Sequence, residues 1–188
     1  MKPTLTMGML VLLSAPATAM AQNAGAVTAT EIDPQAYTGT WYEVARTPAP
    51  FQDKCDGGVT ATYNLVDTTT MQVVNRCDLP DGETQEVTGQ AQVVDGNFNT
   101  FSVQIGDAQA TPGINYVVAA ASDVTDGSYQ WAAVHAPDEN IGWILSRSPE
   151  LEAEAREKAE TALQEAGVDV SQLSDTPQPP DTYQPQGQ

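Results

Sequence analysis

The sequence predicts an all-β domain of eight short strands in hairpin-connected order, followed by one α-helix. Two observations carry this. Between residues 39 and 147, eight segments either alternate apolar with polar residues or run apolar throughout, with hairpin-scale connections between most of them. That spacing is the mark of a barrel or a sandwich. Beyond them, Leu151, Ala155, Ala159, Ala162, Leu163 and Ala166 recur at helical spacing. Eight antiparallel strands can close up and leave no exposed edge. Such a barrel is just wide enough to fill with side chains or to hold one small ligand.

The chain has 188 residues, and its start reads as a secretory signal spanning residues 1–21. Lys2 is a minimal positive region, Met7 to Leu13 is an apolar core, and Ala19-Met20-Ala21 is a small-x-small cleavage site. The apolar run falls short of the roughly 20 residues that span a bilayer. Residues 22–36 are expected to be a loose N-terminal arm, residues 37–175 the folded domain, and the Pro- and Gln-rich residues 176–188 a disordered tail. The formal net charge of −18 and the lack of any basic patch argue against nucleic acid and anionic lipid headgroups as partners. In an exported chain the two cysteines, Cys55 and Cys77, suggest one structural disulfide.

The first strand runs from Gly39 to Arg46. Alternation puts Trp41, Glu43 and Ala45 on one face, and Tyr42, Val44 and Arg46 on the other. The loop after it holds Phe51 and is too long for a tight hairpin; loops of that length are usually functional or disordered. Val59 to Leu65 and Met71 to Cys77 make a hairpin around Asp67-Thr68-Thr69-Thr70, with both cysteines at the same end of it. Glu86 to Val94 alternates, and Asp95-Gly96-Asn97 turns into a strand whose Phe101, Val103 and Ile105 share a face. Ile114 to Ser122 is nearly all apolar and should be covered on both sides. Tyr129 to His135 and Ile141 to Ser146 complete the eight.

The helix is expected over residues 149–166, with Ser148 as N-cap, Pro149 at the first position and Gly167 ending it. Its apolar stripe needs an apolar surface, and the outer wall around Tyr42, Val44 and Ile144 supplies one.

Gly39-Thr40-Trp41 at the head of the first strand resembles the opening signature of the lipocalin family. The longer string through Arg46 is most similar to its bacterial lipocalin and apolipoprotein D branch. Two further family marks have counterparts here: an acidic turn before the seventh strand, at Asp123, and an arginine just after the last strand, Arg147. The resemblance covers roughly Tyr37 to Leu173. It implies an eight-stranded antiparallel up-and-down β-barrel with the helix packed outside, plugged at one end and open at the other. Trp41 with Arg147 stacked on it would form the plug.

Alternation nominates Glu43, Ala45, Tyr63, Phe101, Val103, Trp131, His135 and Trp143 as inward-facing. Tyr116 lies in the apolar run whose facing alternation does not reveal, and Phe51 would guard the mouth. The small Ala45, Ala61 and Ala133 favour an open lumen. A carboxylate there needs a partner or a proton, so Glu43 should find a hydrogen bond.

The resemblance implies binding and storage or transport of a small lipophile, with fatty acid or lysophospholipid first, in envelope upkeep. Another hydrophobe such as a carotenoid, retinoid, quinone or haem is the alternative, followed by an enzyme acting on a bound lipid. No resident cofactor or metal is expected: one histidine, His135, makes no zinc site, and no hydrolase or phosphate-loop motif is present. Bacterial relatives are often anchored by a cysteine straight after the signal. Gln22 stands there in this chain, so a periplasmic or secreted protein without a covalent anchor is expected, with a homodimer left open.

Overall fold

The computed structural model describes residues 31–106 and 113–179. The signal segment, residues 22–30 of the arm and residues 180–188 of the tail lie outside the described residues.

Eight strands form the wall: β1 (Gly39–Arg46), β2 (Gly57–Leu65), β3 (Thr70–Asp78), β4 (Thr84–Val93), β5 (Thr100–Ile105), β6 (Tyr116–Ala121), β9 (Trp131–Ala136) and β10 (Ile141–Ser146). A two-residue ribbon, β7 (Val124–Thr125) with β8 (Ser128–Tyr129), stands apart between β6 and β9. Each wall strand pairs antiparallel with the next, and β10 pairs back onto β1 at Tyr42–Ser146 and Glu43–Leu145. The sheet is therefore a closed barrel, not a sandwich. Closure leaves the wall without a free edge along most of its length.

Two apolar layers hold it. Inside, Trp41, Tyr63, Val73, Phe101, Val118 and Val134 belong to one buried cluster. Outside, α2 (Ala153–Glu165) covers β6, β9 and β10, and Leu163 and Ala159 are buried with Tyr42, Val44 and Ile144. Gly142 lets the helix end approach, since a Cβ there would sit 2.9 Å from Val168 Cγ1.

Several boundaries differ from expectation. The helix starts at Ala153 with Glu152 as its unsatisfied cap, because the Ser148 hydroxyl donates to Glu150 O at 2.6 Å. Ala166 is exposed at the helix end, and Gly167 takes the left-handed φ of 92° that ends it. The arm is not loose where it is described. Ile32 is buried and donates its N–H to Asn97 O, and Asp33 caps the short α1 (Pro34–Tyr37) by accepting from Gln35 N.

The tail also begins later than expected. After the helix, β11 (Ser174–Asp175) pairs with Arg46 and Ala45 of β1. Thr176 N then donates to Val44 O, Gly58 N donates to Pro177 O, and the Gln178 side chain donates to Glu43 O and Val59 O. The registered pairing of β1 with β2 stops at Tyr42 and Thr60. Residues 174–178 thus stitch the seam where those strands diverge.

A second departure lies in β1. Its register against β10 shifts between Glu43 and Ala45, a β-bulge. A bulge inserts one residue and resets the alternation. Val44 and Ala45 both belong to the layer under the helix, and Arg46 returns to the side of Glu43. The expected inward Ala45 therefore faces out.

Candidate ligand cavity

The base is built on Trp41, which is fully buried. Its indole Nε1 donates to Tyr37 O at 2.9 Å, and the Arg147 guanidinium lies 3.7 Å from its ring centroid. That guanidinium donates to five backbone carbonyls: Ala36, Tyr37 and Thr38 at the end of α1, Thr40 in β1, and Tyr129. A cation is favoured at a helix C-terminus, where carbonyls lack intrahelical partners. Burial pulls the Arg147 pKa down from the usual arginine range to about 10, which still leaves it charged near neutrality. Asp123 is exposed and is not among the partners of Arg147. The acidic turn takes no part in this plug.

Above the plug three phenols meet. The Tyr116 hydroxyl shares one hydrogen bond with Tyr63 at 2.9 Å and another with Tyr37 at 3.2 Å. The Tyr37 ring packs on both Trp41 and Tyr63. Burial pushes all three phenol pKa values up, that of Tyr63 to about 12, so they stay neutral.

Over that floor a cavity of about 540 Å³ opens, within the range of small-molecule sites. Val73, Val87, Val103, Ile105, Val134 and Leu145 make its wall apolar. At the rim the surface turns polar, with Gln52, Lys54 and Glu139. The Cys55–Cys77 disulfide ties the mouth loop to the end of β3.

One polar network braces the mouth. The buried Glu43 carboxylate accepts from Arg46 Nη1 at 2.8 Å, Thr176 Oγ1 at 2.6 Å and Gln52 Nε2 at 2.8 Å. Gln52 Oε1 in turn accepts from Trp143 Nε1 at 2.9 Å. Phe51, beside it, packs on the Trp143 ring with centroids 6.3 Å apart, yet is 58% exposed. The carboxylate thus finds the hydrogen bonds its burial requires in this brace. Because a regular strand would put residues three apart on opposite faces, the Glu43–Arg46 pair exists only through the bulge.

A plugged, closed barrel with an apolar cup and an outer helix is the form shared with known proteins. A family model described as a lipocalin-like domain matches residues 32–178. The chain belongs to the lipocalin family. It is 31% identical over 156 residues to the outer membrane lipoprotein Blc of Escherichia coli K12, covering 82% of this chain and 84% of that one. Temperature-induced lipocalin-1 of Arabidopsis thaliana is 30% identical over 146 residues, covering 76% and 77%. Mouse apolipoprotein D is 25% identical over 153 residues, covering 78% and 77%. Among solved structures, lobster apocrustacyanin A1 superposes with a TM-score of 0.60 at 22% identity, covering 77% of this chain and 78% of that one. Lipocalins bind small hydrophobic ligands, and the family likeness reaches from the buried arm to the stitched seam.

Within the lipocalin cup, six of the ten expected lining residues border the cavity: Glu43, Phe51, Tyr63, Val103, Tyr116 and Trp143. Phe101 points inward but is buried lower down, against Phe98 and Tyr116, and does not border it. Ala45, Trp131 and His135 are corrections. Trp131 packs in the layer under the helix with Ala133 and Ile144. Val134 and Ala136 border the cavity, so His135 between them faces outward, where burial lowers its pKa. The reason is physical: the run Trp131 to Ala136 is covered on both faces, so its composition carries no phase. Ala45 and Ala133 are small to make room for the helix, not for a ligand.

Reasoning from sequence missed Tyr37, Gln52, Phe98 and Thr176. Asp33-Pro34, a cap followed by a first-turn proline, was the available signal for α1, which positions Tyr37. Nothing local marks Gln52 or Thr176, whose roles come from Glu43.

Proposed function

We propose that this lipocalin binds and carries a single-chain lipid, a fatty acid or lysophospholipid, with the chain in the cup and the headgroup at the rim. The observation that carries the reading is the gradient along the cavity: apolar wall strands below, and Gln52, Lys54 and Glu139 above. Burying an acyl chain is worth about 0.8 kcal/mol per methylene, and the rim offers polar groups to a head. Haem is disfavoured because His135 lies outside the cup. An enzyme that attacks a bound lipid with a cysteine nucleophile is disfavoured because both cysteines are bridged.

We place the protein in the cell envelope, in the periplasm or secreted, with a role in envelope maintenance. The bacterial relatives named outer membrane lipoproteins support export to the envelope. Solvent extraction of protein purified from its own host, followed by mass spectrometry, tests the ligand. Recovery of about one acyl lipid per chain is expected. Recovery of a quinone, carotenoid or haem in its place would overturn the assignment.

A further inference from the structure

The floor of the cup carries one more proton than its own hydrogen bonds can use. Tyr37, Tyr63 and Tyr116 bring three hydroxyl protons, and their two mutual contacts consume two. The hydroxyls of Tyr37 and Tyr63 have no other hydrogen-bond partner among the described residues. Tyr37 is buried and does not border the cavity. If it were the phenol left over, its proton would be stranded in the core, at the full desolvation cost of an unsatisfied buried donor. Tyr37 therefore donates to Tyr116. Tyr116 then either accepts from Tyr63 as well or donates to it. In both arrangements the spare O–H belongs to a residue that borders the cavity, Tyr116 in the first and Tyr63 in the second.

We propose that the phenol trio is a specificity site for a neutral oxygen at the inner end of the ligand: a hydroxyl, ketone, ester or epoxide on the part of the lipid that reaches the floor. This rests on reading the cup as a lipid site. A terminal methyl would cover the spare donor and leave it unsatisfied. A carboxylate pushed in headfirst would exchange its hydration for one neutral donor, because the nearby cation, Arg147, is committed to five carbonyls on the other side of the floor. A neutral acceptor fits both constraints. The bound lipid is thus expected to be oxygenated at the end remote from its headgroup.

The test compares saturated fatty acids with their ω-hydroxy counterparts across a series of chain lengths, by displacement of a fluorescent lipid from delipidated protein. At the length that reaches the floor, the ω-hydroxy form should bind about five- to tenfold tighter. The double variant Tyr63→Phe/Tyr116→Phe should abolish that preference, so that within the variant the two forms bind equally at that length. Tyr63→Phe alone should keep it, since the spare proton then sits on Tyr116. Equal affinity at every length in the native protein, or a preference that survives the double variant, overturns the proposal and leaves the lipid reading standing. Failure of both series to bind at any length overturns both. Should the double variant not fold, judged by its melting transition, the native comparison and the single variant still decide.

Discussion

The two ends of the barrel solve opposite problems with similar residues. Each has a tryptophan, an arginine and a glutamine or tyrosine partner, yet the base is dry and the mouth is half-wet. At the base, Trp41 is fully buried and Arg147 spends its donors on fixed backbone carbonyls. At the mouth, Trp143 is held through the side chain of Gln52, and Arg46 answers a side-chain carboxylate. Backbone acceptors cannot rotate away, whereas side-chain acceptors can. The base is therefore built to hold its shape, and the mouth to hold one arrangement among several. Stability should reside at one end and ligand traffic at the other.

The largest expected effect breaks that division if it fails. Trp41→Ala removes the fully buried ring and the stacking surface of Arg147, and should cost about 3–5 kcal/mol. The cavity left behind abuts the tyrosine floor, whose packing cannot collapse without moving α1. Denaturant unfolding of the variant checks this. A midpoint close to that of the parent would show that the base is not where stability resides.

A second effect, smaller and confined to alkaline solution, sharpens the same point. Burial raises the pKa of Tyr63 from about 10 in an unfolded chain to about 12 in the fold, and raises Tyr37 and Tyr116 too. With the folded pKa above the unfolded one, the folded state holds protons that the unfolded state has released. The stability tied to these protons is fully present below about pH 10 and is lost as pH rises toward 12. Phenolate absorbance of the trio should therefore rise together with loss of tertiary structure. A Tyr63→Phe variant should shed less stability over that window. Independent ionisation of these tyrosines in a folded barrel would mean the floor is wet.

Legibility in the sequence follows the same divide. Strand number and the outer helix could be read from periodicity, whereas closure and the Trp41–Arg147 pairing were implied by the resemblance to the lipocalin family. The phase of β9 could not, because α2 covers its outer face and the lumen its inner one. Residues apolar on both faces, such as Ala132, Ala133 and Val134, do not announce their direction. The bulge in β1 was equally hidden: alternation assumes one residue per step, and the insertion at Val44 and Ala45 reverses every assignment after it. The strap at Thr176 to Gln178 was masked by composition. Its proline and glutamine residues suggest disorder, and only the divergence of β1 from β2 gives it backbone partners. The tyrosine trio joins residues far apart in the chain, and no local pattern could have assembled it.

The smallest effect on stability should be the largest on traffic. Phe51 sits in a short 3₁₀ turn (Pro50–Gln52), leaning on Trp143 with most of its surface in water. A side chain this exposed buries little area in the free protein, so Phe51→Ala should change unfolding free energy by no more than about 0.5 kcal/mol. With a lipid in the cup the same ring can cover the chain as it leaves the wall, and its loss should raise the dissociation rate about five- to tenfold with a lesser change in association. Stopped-flow displacement of a fluorescent fatty acid separates the two rates. Gln52 keeps its bonds to Glu43 and Trp143 in this variant, so a change in off-rate reports the ring and not the brace beneath it. An unchanged off-rate would mean that the ring does not cover the bound lipid, and that passage through the mouth is controlled by the Glu43 network or by the strap.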